Sequence, residues 1–189
     1  MSAPTVIGLD LSITATGLVD DNGQASTING GRASLGDDRL HAIATAIEDS
    51  LTVYVDDSGY VECVDRADLV VIEGPVLRSA AAISLGMLHG AVRLRLMDWG
   101  VPYVEIPPAT LKKYATGKGN ADKTAMALAL YKRAGLELAD DNQVDAWWLR
   151  AAGMQRLGAP VVDLPAAQIA ALEKVRWPVA ASAAGEGEA

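Results

Sequence analysis

The sequence predicts an α/β fold in which a mixed sheet of about five strands is flanked by α-helices. The first observation is a series of short apolar, β-prone runs in the N-terminal part of the chain. The second is the later alternation of such runs with segments whose apolar residues recur at helical spacing. The third is size, because 189 residues, half of them apolar, are enough for one domain with a buried core.

Five segments have the composition and length of β-strands. The second and third are joined by Asp21, Asn22 and Gly23, which suit a hairpin turn because Asn and Gly accept positive φ at low cost. The predicted strands are Thr5–Leu11, Thr16–Asp20, Gln24–Gly31, Asp68–Glu73 and Val101–Ile106. Thr52–Val64 is open between a small hairpin and an irregular connection.

Six segments are predicted to be helical from the spacing of their apolar residues. The second one stops before Gly100, which suits a helix C-terminus, whereas the glycines of Thr116–Asn120 indicate a loop. The predicted helices begin at Asp38, span Ala80–Met97, begin near Ala109, and span Ala121–Ala134, Gln143–Leu157 and Ala166–Val175.

The domain organisation is expected to be simple. Residues 1–178 are predicted to form one domain, and the small, acidic segment 179–189 to be disordered. Cys63 is the single cysteine, so an internal disulfide is impossible and a reducing, intracellular setting is expected. The chain has neither a secretory signal pattern nor the roughly 20-residue apolar run that crosses a bilayer. We therefore expect a soluble, cytoplasmic protein.

Charge is distributed unevenly along the chain. The net charge of −8 argues mildly against a nucleic-acid partner, because phosphate contacts require Lys and Arg. The segment from Lys112 to Arg133, however, carries six basic residues against one acid, Asp122. A solvated helix face explains this segment, and from charge alone that interpretation is favoured. The alternative is a local basic surface on an acidic protein.

Two carboxylates end predicted strands. Asp10 lies near the end of the first strand, and Glu73 ends the fourth. Taken alone, each is more often a strand-end residue that meets solvent than a metal ligand. Together they indicate more, because paired strands lie about 4.8 Å apart and two such carboxylates can share one hard cation.

A third acidic element opens the fifth predicted helix. A helix N-cap at Asp140 or Asp141 explains the first acids well. It explains Asp145 less well, because Asp145 lies inside the helix among apolar neighbours. Either Asp141 or Asn142 shares a helix face with Asp145. Acids from three elements would form an oxygen-rich site suited to Mg²⁺ or Mn²⁺, and two such ions assist phosphodiester cleavage.

Four motifs occur in the order GLDLSITATG, VVIEGP, TGKGNADK and DNQVDAWWLRAAG, over roughly residues 5–155. Together they resemble the RuvC-type Holliday-junction resolvases, especially their phage-encoded relatives. TGKGNADK is the most specific of the four, since a DxS strand or an ExP corner alone is a weak signal. The resemblance implies a ribonuclease-H-like fold and a metal-dependent endonuclease for four-way DNA junctions, with flaps and forks as further substrates.

The resemblance also implies roles for individual residues. It places metal-binding carboxylates at Asp10, Glu73 and Asp145, around two Mg²⁺ ions that Mn²⁺ can replace. A fourth is expected where Asn142 stands, and Asp141 could reach the same ions, so the fourth ligand is open between them. The predicted catalytic residues are Asp10, Glu73, Asp141, Asp145 and Lys123, and the predicted DNA-binding residues are Lys112, Lys113, Lys118 and Lys123. Lys123 is the stronger candidate to approach the scissile phosphate.

One family feature, the aromatic wedge, is absent from this chain, and a second, the dimer interface, is not decided by the sequence. The family's aromatic wedge after the glutamate is replaced by Pro75, Val76 and Leu77, so junction geometry and cut sequence can differ. The family is homodimeric, and the resemblance assigns much of the interface to Ala80–Met97. The small residues of that helix also fit plain internal packing.

Two other functions stay open. Asn142, in place of a carboxylate, allows a catalytically silent DNA-binding protein with the same fold. The strand and turn from Asp10 to Gly17 also resemble the first phosphate loop of actin-like ATPases. That class uses two such domains, whereas this chain has room for one. His89, Trp147 and Trp148 are assigned to packing.

Overall fold

The computed structural model describes residues 3–32, 36–51, 67–75 and 82–178. Thr52–Val64, the segment 179–189 and the first two residues of the predicted second helix lie outside the described residues. The strands are β1 (Val6–Asp10), β2 (Ala15–Val19), β3 (Ala25–Asn29), β4 (Leu69–Glu73) and β5 (Tyr103–Ile106). The helices are α1 (Asp38–Leu51), α2 (Ala82–Asp98), α3 (Pro108–Thr116), α4 (Lys123–Ala134), α5 (Asp141–Arg156) and α6 (Ala166–Ile169), followed by a 3-10 turn at Ala170–Lys174.

The five strands form one mixed sheet in the order β3-β2-β1-β4-β5. The first three strands pair antiparallel, as their short connections require. The strands β4 and β5 join on the other side of β1, each parallel to its neighbour. The predicted mixed sheet of five strands flanked by helices is therefore confirmed.

Each face of the sheet is covered by its own layer of helices. Side chains alternate between the two faces along a strand, so Ile7 and Leu9 pack in one core while Val6 packs in the other. The core with Ile7 and Leu9 is closed by α1 and α2. The core with Val6 is closed by α3, α4, α5 and the C-terminal segment, and it contains Trp147 and Trp148. The packing role predicted for the two tryptophans is confirmed.

The helix α5 lies directly against the strand backbones. A Cβ at Gly8 would overlap the carbonyl oxygen of Ala146, and one at Gly17 would overlap that of Asn142. On the helix side, a Cβ at Gly153 would lie 2.6 Å from the side chain of Val6. Glycine at these three positions removes the side chains that would hold helix and sheet apart.

Three predicted helices differ from the structure by two residues at their start or in helix type. The helix α5 begins at Asp141 instead of Gln143, because the Asp140 side chain caps it by accepting from the Gln143 N–H. The helix α4 begins at Lys123, because Asp122 caps it in the same way. The predicted Ala166–Val175 helix is one α-helical turn followed by a 3-10 turn. No helix in the described ranges is long and apolar enough to cross a membrane.

Candidate active site

Asp10 and Glu73 lie side by side at the ends of neighbouring parallel strands. Leu9 of β1 is paired with Ile72 of β4, so the residues that follow them are adjacent. Asp10 comes two residues after Gly8, and Glu73 comes two residues after Val71. Gly8 and Val71 both face α5. Both side chains therefore point to the face that α5 covers. Their carboxyl groups are close enough for each to change the pKa of the other.

Asp145 reaches the same place from the helix side. It lies one turn into α5, which crosses β1 and β2 in backbone contact. Its charge acts on both Asp10 and Glu73. Three partly buried carboxyl groups from β1, β4 and α5 thus form an acidic cluster, as the spacing along the chain predicts.

The acidic cluster holds its protons more tightly than ordinary carboxyl groups. Burial, followed by the charges of Glu73 and Asp145, raises the pKa of Asp10 to about 8. Burial and the charge of Asp145 raise the pKa of Glu73 to about 7. Burial raises the pKa of Asp145 to about 6, against the opposing charge of Lys112. The three groups therefore destabilise one another as anions, and a bound cation would relieve that repulsion.

The side chains are not preassembled around an ion. Within the part of the chain that the structure describes, no three acidic, histidine or cysteine side chains are gathered as a metal site. The donor chemistry still fits a hard divalent cation, since all three groups offer oxygen atoms. Binding would displace protons from carboxyl groups whose pKa values are raised, so it would be favoured at higher pH.

Lys123 and Asp141 form an ion pair at the mouth of the acidic cluster. Lys123 is the first residue of α4, and Asp141 is the first residue of α5. Hydrogen bonding to Lys123 lowers the pKa of Asp141, and the same bond raises the pKa of Lys123. The ammonium group also feels the charges of Asp145 and Asp10. The pair therefore connects two helix N-termini directly beside the acids.

The remaining predicted site residues, three lysines and Asn142, differ in how close they lie to the acidic cluster. Lys112, half-buried on α3, lies near enough to the acidic cluster for its charge to lower the pKa of Glu73 and Asp145. Lys113 is exposed on α3 and Lys118 is exposed on the loop that follows. The backbone of Asn142 lies against Gly17 of β2.

The N-terminus of α5 is held by residues that sequence reasoning missed. The Thr27 hydroxyl on β3 donates to the Asp140 carboxylate at 2.6 Å, and the Gln143 side chain donates to Thr27 at 2.8 Å. The cap at Asp140 is visible in the sequence, but Thr27 lies 113 residues away from it. No local pattern marks such a partner.

Curated RuvC proteins are similar to this chain over about half of its length. The sequence is 36% identical over 93 residues to the crossover junction endodeoxyribonuclease RuvC of Gloeobacter violaceus, covering 49% of this chain and 54% of that protein. It is 35% identical over 106 residues to RuvC of Sorangium cellulosum, covering 55% and 58%. No family model matches the chain.

The chain is similar in sequence to RuvC. Its matched segment spans about half the length of the curated RuvC relatives. Thermus thermophilus RuvC has a similar structure, with a TM-score of 0.63 and 22% identity over 84% of this chain and 99% of that one. The same protein in complex with a Holliday junction substrate gives a TM-score of 0.64 at the same identity, over 85% and 99%. The likeness to these RuvC structures confirms the predicted ribonuclease-H-like fold, while the phage relationship stays a prediction.

Proposed function

We propose that this protein is a structure-selective DNA endonuclease that resolves Holliday junctions by metal-assisted phosphodiester hydrolysis. The observation that carries the proposal is the convergence of Asp10, Glu73 and Asp145, with pKa values raised to about 8, 7 and 6. Perturbed carboxylates gathered at strand ends are typical of functional sites. The Thermus thermophilus relative in complex with a Holliday junction substrate supports the substrate class.

The acidic cluster would hold two Mg²⁺ ions, with Mn²⁺ able to replace them. Its ligands would be Asp10, Glu73 and Asp145, together with Asp141 or Asn142. When bound, such ions supply an activated water and stabilise the leaving oxygen of the phosphodiester. Burial of the carboxylates keeps bulk water away and strengthens their hold on a cation.

The lysines of the site would act on the DNA phosphates. Lys123 stands beside the acids and is held there by Asp141, so it would contact the scissile phosphate. Lys112 moderates the negative charge of the cluster from the α3 side, where it would contact backbone. Lys113, exposed on α3, and Lys118, exposed on the loop before α4, would bind neighbouring phosphates.

A homodimer would place two such sites on the two sides of a junction. The support is an exposed apolar stripe on α2, made of Ile83, Met87, Leu94 and Met97, with Gly90 completing a 4-3-4-3 spacing. Ile83 is 82% exposed and Met97 is 63% exposed. This spacing keeps all five positions on one side of a helix, as in helices that pair along their length.

Cleavage of labelled DNA tests the proposal. We expect the purified protein to cut a four-way junction in Mg²⁺ or Mn²⁺ and to leave a linear duplex of the same sequence intact. Flap and fork substrates in the same assay define the range of branches accepted. Asp10→Asn is expected to abolish cutting, whereas Asp98→Asn, which removes an exposed acid at the end of α2, is expected to retain it.

Two outcomes would contradict the proposal. Absence of junction cleavage across a metal and salt titration would reject the nuclease function. If such a protein still bound junctions tightly, the catalytically silent DNA-binding function would replace it. Cleavage that survives Asp10→Asn would instead place the active site elsewhere.

A further inference from the structure

A groove of about 640 Å³ lies between α4 and the segment that leads into it from α3. Small apolar side chains and Leu128 form its floor. Its rim carries Lys118 from the loop and Lys132 and Arg133 from the last turn of α4. We call it the α4 groove.

We propose that the α4 groove binds the sugar-phosphate backbone of a DNA arm outside the scissile position. The inference rests on the proposed nuclease function and extends it, because Lys132 and Arg133 were not assigned to DNA binding from the sequence. The DNA interface would then extend around α4 to the groove in addition to the contact beside the acidic cluster.

The charge of the groove differs from that of the whole chain. The protein carries a net charge of −8, yet three cations stand here against one acid, Asp122. The Asp122 carboxylate is engaged in capping α4 through the Ala125 N–H at 2.8 Å. A polyanion would therefore find a favourable potential in this groove and an unfavourable one over much of the remaining surface.

The cations are available for an external partner. Within the described ranges, neither the amino group of Lys118 nor that of Lys132 has an ion-pair partner, and both residues are exposed. Arg133 donates through Nη1 to the backbone oxygen of Asp163 at 3.2 Å, which fixes its position. A guanidinium held in this way can still present other N–H groups to a phosphate.

The loop that carries Lys118 is ordered by its own hydrogen bonds. The Thr116 hydroxyl accepts from the Lys118 N–H at 3.1 Å and donates to the Lys112 oxygen at 2.8 Å. The φ of Gly117 is 84°, a conformation that glycine adopts at little cost. The rim is therefore preorganised, which lowers the entropic cost of binding a ligand.

The length of α4 between Lys123 and Lys132 gives the distance from the acidic cluster to the groove. Lys123 lies beside the acidic cluster, and Lys132 is nine residues further along the helix. Nine residues correspond to about 14 Å of helix length. Nine residues are also about two and a half turns, so Lys132 projects from the side of α4 opposite Lys123. A DNA strand advances about 3.4 Å per nucleotide, so the groove would meet the backbone at least about 4 nucleotides from the scissile phosphate.

Salt-dependent binding tests the proposal. Affinity for a labelled four-way junction is measured in EDTA, where no cleavage occurs, over a range of salt concentrations. For Lys132→Ala/Arg133→Ala, we expect the slope of log K against log salt to fall by about 1 for each phosphate that the variant no longer neutralises, or about 2 in all. Lys174→Ala/Arg176→Ala removes the same charge from exposed positions in the C-terminal segment, and its slope should stay close to that of the wild type.

Hydroxyl-radical footprinting locates the contact. The Lys132→Ala/Arg133→Ala protein should lose protection at least about 4 nucleotides from the cut and keep it at the cut itself. A salt slope and footprint equal to those of the wild type would overturn the inference, as would a wild-type protein that does not bind the junction. A wild type that binds without cutting in Mg²⁺ or Mn²⁺ would contradict the proposed nuclease alone, because binding still tests the groove.

Discussion

The hydroxyl of Thr27 donates a hydrogen bond to the carboxylate of Asp140 at 2.6 Å, joining the edge strand β3 to the cap of α5. Gln143 completes the contact by donating to the same hydroxyl at 2.8 Å. Because Asp141 and Asp145 belong to the first turns of α5, their positions depend on this junction between strand and helix.

Replacing Thr27 by Val should affect both stability and cleavage. Val keeps the shape of Thr but leaves the Gln143 side-chain amide and the second oxygen of Asp140 without this partner, at a cost of about 1–3 kcal/mol. Cleavage of a four-way junction should require more Mg²⁺, since Asp141 and Asp145 are held less firmly. Thr27→Ser keeps the hydroxyl and should restore the metal dependence. Equal metal dependence in the Val and Ser variants, measured alongside urea unfolding, would reject this positioning role.

Stability of the metal-free protein should fall as the pH rises. The pKa of Asp10 is about 8 in the folded protein against an ordinary value of 3.8, so the native state binds more protons than the unfolded state between these values. The contribution of this group is fully present below about pH 4 and is lost as the pH rises through about 8. Chemical denaturation at pH 5 and pH 8 measures the difference. Asp10→Asn should reduce it, and an unchanged pH dependence in that variant would contradict the assignment.

Divalent metal should reverse this loss at high pH. A ligand that binds only the folded state at 100 times its Kd stabilises by about 2.7 kcal/mol. We therefore expect saturating Mg²⁺ or Mn²⁺ to raise the free energy of unfolding at pH 8 in the wild type and much less in Asp10→Asn. A rise of equal size in both proteins would show that the ions bind away from the acidic cluster.

Separate alanine substitutions at Asp141 and Asn142 should distinguish their roles. Asp141 holds Lys123 in an ion pair, so Asp141→Ala should lower the cleavage rate about 10- to 100-fold, the usual effect of losing a partner that orients a site. Asn142 is held against Gly17 through its backbone, so Asn142→Ala should have the smaller effect. Single-turnover cleavage rates decide between them. The reverse order would make Asn142 the fourth metal ligand.

A methyl group at Gly8 should separate the strand from the helix. A Cβ there would overlap the backbone of Ala146, and overpacking of this kind costs about 1–3 kcal/mol. Gly8→Ala should therefore lower the free energy of unfolding and, by moving Asp145 from Asp10, reduce cleavage. The matched control is Gly86→Ala on α2, which lies outside the apolar stripe, because an added Cβ there meets nothing within 4 Å. Urea unfolding measures the stability of both variants. A comparable loss of unfolding free energy in the two would refute the role of Gly8 as a contact point.

A charge on the exposed stripe of α2 should dissociate the proposed dimer. Leu94 is 59% exposed, so Leu94→Glu should leave the monomer folded while removing apolar area from the interface. Val161→Glu introduces the same charge at another exposed apolar position and should not change the assembly. Light scattering after size-exclusion chromatography measures the mass. A wild-type protein that is monomeric at high concentration would contradict the dimer itself.

The positions of the strand-end acids follow from the sequence, whereas their partners do not. The alternation of side chains along a strand and the helical spacing of Asp141 and Asp145 are local rules, and both hold in the structure. The Lys123–Asp141 pair joins two helices and depends on how they cross, which no local pattern encodes. Thr27 is an ordinary β-strand residue until β3 is placed beside α5. The groove at Lys132 likewise appears only once α4 and the preceding loop are packed together.

The glycine contacts between α5 and the strands have a consequence for how the chain tolerates change. Main-chain atoms at Gly8 and Gly17 set the separation between helix and sheet beside the acids, so the spacing of Asp145 from Asp10 is fixed there by main-chain contact. The core beneath α1 and α2 lies on the opposite face of the sheet. Substitutions there, such as Ile43→Val, would cost about 0.5–1.5 kcal/mol of folding free energy and leave the carboxylates in register. Substitutions on the α1 and α2 side of the sheet can therefore change stability without changing the arrangement of the carboxylates on the other side.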